Sequence, residues 1–233
     1  MSEVLKIPKL RFPEFSDEWE KRNGNELFES ISNKKHNSDL PILAITQKDG
    51  AIPRELINYK ITVTENSVSS YKVVDVGDFI ISLRSFQGGI EYSSYKGICS
   101  PAYIVLKPLI KINDIFFSRY FKTFSYIREL NRKLEGIRDG KMVSYKYFSE
   151  IKLPFPSLVE QQKIAVFLTT VDTKIQQLIK KQELLGEYKK GLMQQIFSQK
   201  FRLKAVNGSD YPDWKEKKLG DIALKGSSNI SAN

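Results

Sequence analysis

Leu153-Pro154-Phe155-Pro156-Ser157-Leu158-Val159-Glu160-Gln161-Gln162-Lys163-Ile164 is the stretch where one kind of sequence gives way to another. The residue before a proline avoids the helical region, so Leu153 to Pro156 predicts a stiff extended hinge. Ser157 and Glu160 then make a Ser-x-x-Glu capping box, the signature of a helix start. No proline occurs from there to Gln199, and Ile164, Val171, Leu178, Leu185 and Leu192 recur every seven residues. A second seam of Leu168, Ile175, Gln182, Lys189 and Ile196 is offset from the first by four. Heptads with mostly apolar seams predict a coiled-coil helix over residues 157–200, about 60 Å long at 1.5 Å per residue. Gln182 and Lys189 are polar seam positions of the kind that fix register and partner number, and Gly186 and Gly191 lower helix stability. The competing reading is a long helix lying against its own domain, but five heptads outrun the face of a domain this size. A lone helix would leave its seam wet, so a partner helix is expected.

Upstream, residues 1 to about 24 read as a segment without regular helix, because Pro8 and Pro13 interrupt it, with Phe12, Phe15 and Trp19 as packing anchors. Leu40 to Pro108 carries the β-branched and aromatic enrichment of strands. Ile42 to Thr46 ends at the turn signal Lys48-Asp49-Gly50, Asp78 to Ser82 is a second apolar run, and Ile98 to Leu106 a third. Gln87-Gly88-Gly89 supplies a turn where φ can be positive. From Asn113 to Leu134 apolar residues recur at three or four, predicting one broken or two short amphipathic helices. Sheet followed by helices predicts an α+β (mixed α/β) domain over 1–156 ahead of the long helix.

The chain has 233 residues, a net charge of +10 and a pI near 9.4, which points to a polyanion such as nucleic acid, with plain solubility as the alternative. Cys99 and His36 are single, so no internal disulfide, no thiolate metal cluster and none of the commonest zinc sites is expected. His36 reads as an exposed loop residue. Neither a phosphate loop nor a nuclease-type carboxylate set is present in the sequence, and Asp75 and Asp78 around Gly77 read as turn and cap residues. No cofactor, catalytic residue or metal site is expected. Apolar runs fall short of a membrane span, and Lys6, Pro8 and Lys9 break any signal-peptide core, so the expected location is cytoplasmic.

The chain also begins to repeat itself. Glu18-Trp19-Glu20-Lys21 followed by Glu26-Leu27 returns as Asp213-Trp214-Lys215 followed by Asp221-Ile222, and Trp19 and Trp214 lie 195 positions apart (214 − 19). Leu10-Arg11-Phe12 and Phe201-Arg202-Leu203 precede the two copies. A domain-sized period predicts a duplicated unit, with residues 201–233 as the truncated start of a second domain. Both tryptophans read as anchors.

Three loops suit contact with DNA. Arg138-Asp139-Gly140-Lys141 with Tyr145 and Lys146 interleaves basic and aromatic residues around a glycine; from Arg119 to Lys152 nine basic residues face four acidic ones. Arg84 to Gly89 offers Arg84, able to bridge guanine, and Gln87, able to bridge adenine. Gln47-Lys48-Asp49-Gly50 follows similar logic through Lys48. A solvated basic loop and a plain hairpin are the bland alternatives.

Several stretches together resemble the specificity subunit of type I restriction-modification enzymes: Leu10-Arg11-Phe12 with Trp19, Gly77-Asp78-Phe79-Ile80, Gly97 to Tyr103, Leu153 to Pro156 leading into Glu160-Gln161-Gln162-Lys163-Ile164, and Lys189-Lys190-Gly191-Leu192. The resemblance implies a target recognition domain that reads one half of a split site in double-stranded DNA. It also implies a conserved spacer helix, and methyltransferase and restriction subunits assembled on that scaffold. Members of the family carry two recognition domains; this chain carries one, one helix and the start of the next. An antiparallel homodimer through residues 158–199 is therefore expected, with Ile164, Leu168, Val171, Ile175, Leu178, Leu185 and Leu192 in its seam. The competing readings are a coiled-coil scaffold or regulator that pairs with other specificity subunits without reading DNA, and a stand-alone nuclease or methyltransferase.

Overall fold

Aromatic residues set the centre of the fold. In the computed structural model, which describes residues 8, 10–37, 39–57, 68–132 and 143–226, Phe28 meets Phe79, Phe117 and Phe148 edge-on, with ring centroids 5.3, 5.5 and 5.8 Å apart. Such pairs add about 0.5–1.5 kcal/mol each beyond the burial of their area. Phe121, Tyr126, Leu27 and Leu153 complete this fully buried cluster. A second cluster gathers Leu43, Val74, Ile80 and Val105, and a third gathers Val68, Tyr71, Val73 and Ile98.

The chain supplies β1 (Glu20–Asn23), α1 (Gly24–Leu27), β2 (Phe28–Ile31), β3 (Leu43–Thr46) and β4 (Gly50–Pro53), then a 3₁₀ turn at Arg54–Leu56. There follow β5 (Lys72–Val74), β6 (Phe79–Ile81), α2 (Ser85–Gly88), β7 (Glu91–Tyr92), β8 (Gly97–Cys99) and β9 (Ile104–Pro108). Then come α3 (Asp114–Tyr120), α4 (Phe124–Arg132), α5 (Tyr145–Ser149), β10 (Lys152–Phe155), α6 (Leu158–Phe197) and α7 (Leu219–Ile222). A four-stranded antiparallel sheet runs β2-β9-β6-β7, beside the pairs β1-β10, β3-β4 and β5-β8. Two short helices follow the strands, so the α+β expectation holds. The run Ile98 to Leu106, expected as one strand, is broken between β8 and β9 by a turn over Ser100 to Tyr103, where Tyr103 N donates to Ser100 O (3.1 Å). His36 is half-buried against the Tyr71 carbonyl, at 3.1 Å, rather than fully exposed.

The deciding stretch keeps its extended form by pairing: β10 lies antiparallel to β1, with Pro154 opposite Lys21 and Arg22 stacked over the Phe155 ring at 4.4 Å. Ser157 Oγ caps α6 by accepting from Glu160 N (3.3 Å). The other arm of the expected box is absent because the Glu160 carboxylate is taken elsewhere. Arg11 grips it with two bonds of 2.7 Å and the Trp19 indole donates at 3.0 Å. Gln161 accepts from Asn113 N (2.9 Å) and donates to Pro156 O (2.9 Å), Gln162 accepts from the Asn113 side chain (2.6 Å), and Lys163 pairs with Glu14 and covers the Phe12 ring. Every member of Glu-Gln-Gln-Lys is thus spent on fixing the helix start to the domain. Ile164 packs on the aromatic cluster and Arg119 bonds Asp172 at 2.5 Å.

Two compact units emerge, Met1–Asp172 and Thr173–Asn233, dividing within α6. In the second, Phe197 meets Trp214 edge-on (6.1 Å) and Arg202 bonds Asp213 (2.8 Å) and the carbonyls of Tyr211 and Pro212. Along α6, Ile175, Leu178 and Leu185 are about half exposed, at 46, 54 and 56 %. The backbone around α7 repeats that around α1 at the same offset of 195. Asn23 and Lys218 share φ −68°, with ψ 154° and 145°, and Phe28 and Ala223 share an extended turn-out at −138°, 140° and −142°, 135°. Leu27 is wholly buried where its counterpart Ile222 is 65 % exposed.

Candidate nucleic-acid interface

β3 and β4 form a hairpin whose turn is closed from within, since Asp49 N donates to Thr46 Oγ1 (3.0 Å) and that hydroxyl donates to Gly50 O (3.2 Å). Gln47, Lys48 and Asp49 are exposed at its tip. The expected turn at Gln87-Gly88-Gly89 contains a single helical turn, α2, preceded by a bend in which the Ser85 hydroxyl accepts from Ser82 N (2.8 Å). Gly89 ends it at φ +81°, and an added Cβ there would lie 2.0 Å from the Phe121 carbonyl, so only glycine fits. Arg84 and Gln87 are exposed on this turn.

The two loops meet. Gln47 packs over Gly88 so closely that a Cβ on that glycine would be 2.5 Å from its side chain. Beneath them, Lys122 Nζ, between α3 and α4, pairs with Glu91 (2.5 Å) and donates to Gly88 O (3.0 Å) and Gln47 O (3.4 Å). Asn131, on α4, donates to Phe86 O (2.7 Å) and so holds α2 from the other side. Glu91 is 2 % exposed on β7; burial pushes its carboxyl up, Lys122 draws it back in part, and its Oε2 has no hydrogen-bond partner.

A further cation stands just after β4. Arg54 has Nε and Nη1 buried with no partner, and its backbone N–H is held by Ile42 O (3.0 Å). Burial pushes the Tyr103 hydroxyl up while the nearby charges of Arg54 and Arg84 pull it down, and Lys72 donates to the Tyr103 carbonyl (2.6 Å). Lys72 thus bonds Tyr103 directly, and the charges of Arg54 and Arg84 reach its hydroxyl.

Of the predicted contacts, Lys48, Arg84 and Gln87 come together on these joined loops. Arg138 and Lys141 lie outside the described residues. Tyr145 is half-buried on α5, its hydroxyl donating to Phe28 O (2.9 Å) and its ring 6.2 Å from Phe148, so it anchors α5 to the core. Lys146, next to it, is exposed. Sequence reasoning included Gln47 in its loop but missed Arg54, and missed Glu91, Lys122 and Asn131 as the supports of these loops. A lone carboxylate between Ile90 and Tyr92 in a strand was the one available sign of a buried ion pair. Among the described residues no three His, Cys, Asp or Glu side chains converge on a possible metal position, and no helix is long and apolar enough to cross a membrane.

Residues 16–185 match the family model described as the type I restriction modification DNA specificity domain. The putative type I restriction enzyme MjaX specificity subunit of Methanocaldococcus jannaschii is 32 % identical over 133 residues, 57 % of this chain and 31 % of that protein. The type I restriction enzyme MjaVIII specificity subunit of the same organism is 30 % identical over 158 residues, 64 % of this chain and 36 % of that protein. This chain thus spans about a third of the length of the relatives it matches. A chain from structural work on complex assembly and conformational transition of the type I R-M system shares the fold with a TM-score of 0.50 at 19 % identity, over 84 % of this chain and 48 % of that one. With the family match running through both the loop-bearing domain and most of α6, the chain belongs to the family of type I restriction modification DNA specificity domains.

Proposed function

We propose that this chain is the sequence-reading component of a type I restriction-modification system, acting in the cytoplasm on double-stranded DNA. It directs methyltransferase and restriction subunits to one half of a split site and leaves methyl transfer and cutting to them. The observation that supports this reading is the contact between the 47–50 and 84–89 loops, on which Lys48, Arg84 and Gln87 are exposed, in a domain of this family. Arg84 and Gln87 are the base readers, by bidentate contact with guanine and adenine edges. Lys48, Arg54 and Lys146 contact phosphate, which sets register and affinity; Arg138 and Lys141 join them.

Residues 1–156 form the recognition domain in this reading, 157–200 the spacer helix and 201–233 the start of a second recognition domain. The exposed seam of Ile175, Leu178 and Leu185 is covered by α6 of a second copy, antiparallel, because two-fold pairing is the commonest form of self-association. Binding to random-sequence duplexes across a salt series, with methyltransferase subunits present, tests the DNA reading. The logarithm of affinity falls linearly with the logarithm of salt, with a slope of several units; a flat line means that the +10 charge serves solubility alone. The same exposed seam favours a second reading, a scaffold that pairs through α6 without reading DNA, for which dimers form and no sequence is protected.

A further inference from the structure

The Lys122–Glu91 pair holds the two loops together, and all three hydrogens of its ammonium face protein acceptors. An ammonium has three hydrogens, and Lys122 has three acceptors: Glu91 Oε1 at 2.5 Å, Gly88 O at 3.0 Å and Gln47 O at 3.4 Å. Two of these are main-chain carbonyls, one from each loop, so a single side chain ties a segment at position 47 to one at position 88. The third is a carboxylate of 2 % exposure, which fixes the ammonium where both carbonyls point. An ion pair whose carboxylate is buried with one oxygen left unbonded, while its lysine stays partly exposed, is poor stabilisation; the best-attested use of such pairs is to select one arrangement over others.

We propose that Lys122 and Glu91 are positioning residues for base recognition, locking the 47–50 turn and α2 into the one relative placement in which Gln87, Arg84 and Lys48 reach DNA together. The inference rests on the reading that these loops meet DNA. Neither residue touches a base; each acts through the carbonyls of Gln47 and Gly88. Loss of the tie leaves the loops present and the charge almost unchanged, but lets Gln87 and Arg84 move independently of Lys48.

The test is selection of preferred duplexes from a random library, followed by affinity for each single-base change, for wild type, Lys122→Arg, Glu91→Gln and the double variant Lys122→Met with Glu91→Gln. The double variant removes the tie without stranding a buried charge. Its unfolding midpoint and circular dichroism show whether it folds, and Glu91→Gln alone, which keeps a neutral acceptor, serves if it does not. Discrimination is expected to fall at least tenfold at the bases that Arg84→Ala or Gln87→Ala also affects. Affinity for unrelated duplexes should change less than twofold, Glu91→Gln should give an intermediate loss, and Lys122→Arg should retain most of the preference. A folded double variant with the wild-type preference intact overturns the positioning role. A wild-type protein that selects no sequence overturns the DNA reading itself, and the proposal with it.

Discussion

Asp78 is 2 % exposed at the start of β6, accepting from Asp75 N (2.8 Å), and burial pushes its carboxyl up to about 6. Its folded value lies above its unfolded one, so the folded state holds the proton longer. Stability from this group is complete below pH 4 and is lost as pH rises through 6, by about 3 kcal/mol at about 1.4 kcal/mol per unit. Asp78→Asn keeps the acceptor and removes the charge; urea unfolding should show a gain of up to about 3 kcal/mol at pH 7.5 and none at pH 3.5. Glu160 matters through its partners instead. Glu160→Ala leaves the Arg11 guanidinium and the Trp19 indole N–H without their acceptor, and should cost about 3 kcal/mol in the same assay. At the proposed DNA surface, Arg84→Ala or Gln87→Ala should cost about 1–3 kcal/mol at particular bases, while Lys48→Ala should weaken all duplexes about equally. Exposure of Arg84, Gln87 and Lys48 was legible in sequence because turn residues announce themselves. Lys122 was not, since its acceptors lie 34 and 75 positions away. Nor was the carboxylate clamp at Glu160, whose partners are 149 and 141 positions off and which a capping box explains locally without them.

Among the elements, α6 was the most legible, because heptads need no tertiary information; the helix runs Leu158–Phe197. What the heptads do not tell is how much of the seam the domain itself uses. Ile164 joins the aromatic cluster and Leu168 is half-buried, whereas Val171, Ile175, Leu178 and Leu185 stay exposed and flanked by Phe167 and Ile179. Each Leu buried in a paired seam contributes about 1.5–3 kcal/mol, so Leu178→Glu should convert dimers to monomers. Light scattering at micromolar concentration checks this, with a mass near the 26.8 kDa of one chain for the variant and twice that for wild type. The strands were legible as apolar runs but their breaks were not. Pro101 and the bond from Tyr103 N to Ser100 O end β8, and the expected turn at Gln87-Gly88-Gly89 is preceded by the bond from Ser82 N to Ser85 Oγ and takes the form of α2. Both depend on side chains whose turn-forming role appears only once neighbouring strands are in place.

At the scale of the molecule the repeat explains the outline. α1 and α7 share their local conformation, yet Gly24 sits so close to the core that a Cβ would lie 2.4 Å from the Phe148 carbonyl, where the C-terminal copy has Leu219. The segment around α7 therefore does not suit this chain's own recognition domain, and under the proposed division it belongs with a second, different one. In the proposed dimer, two copies paired through α6, a helix of about 60 Å, would hold two identical reading surfaces. That length spans one to two turns of DNA at about 34–36 Å each. Selection from random-sequence DNA by the wild-type chain in the presence of methyltransferase subunits, read as a footprint, tests this most directly. The account predicts two inverted copies of one short sequence, separated by about one to two helical turns of unprotected sequence preference. A single contiguous site, or no enriched sequence at all, contradicts it.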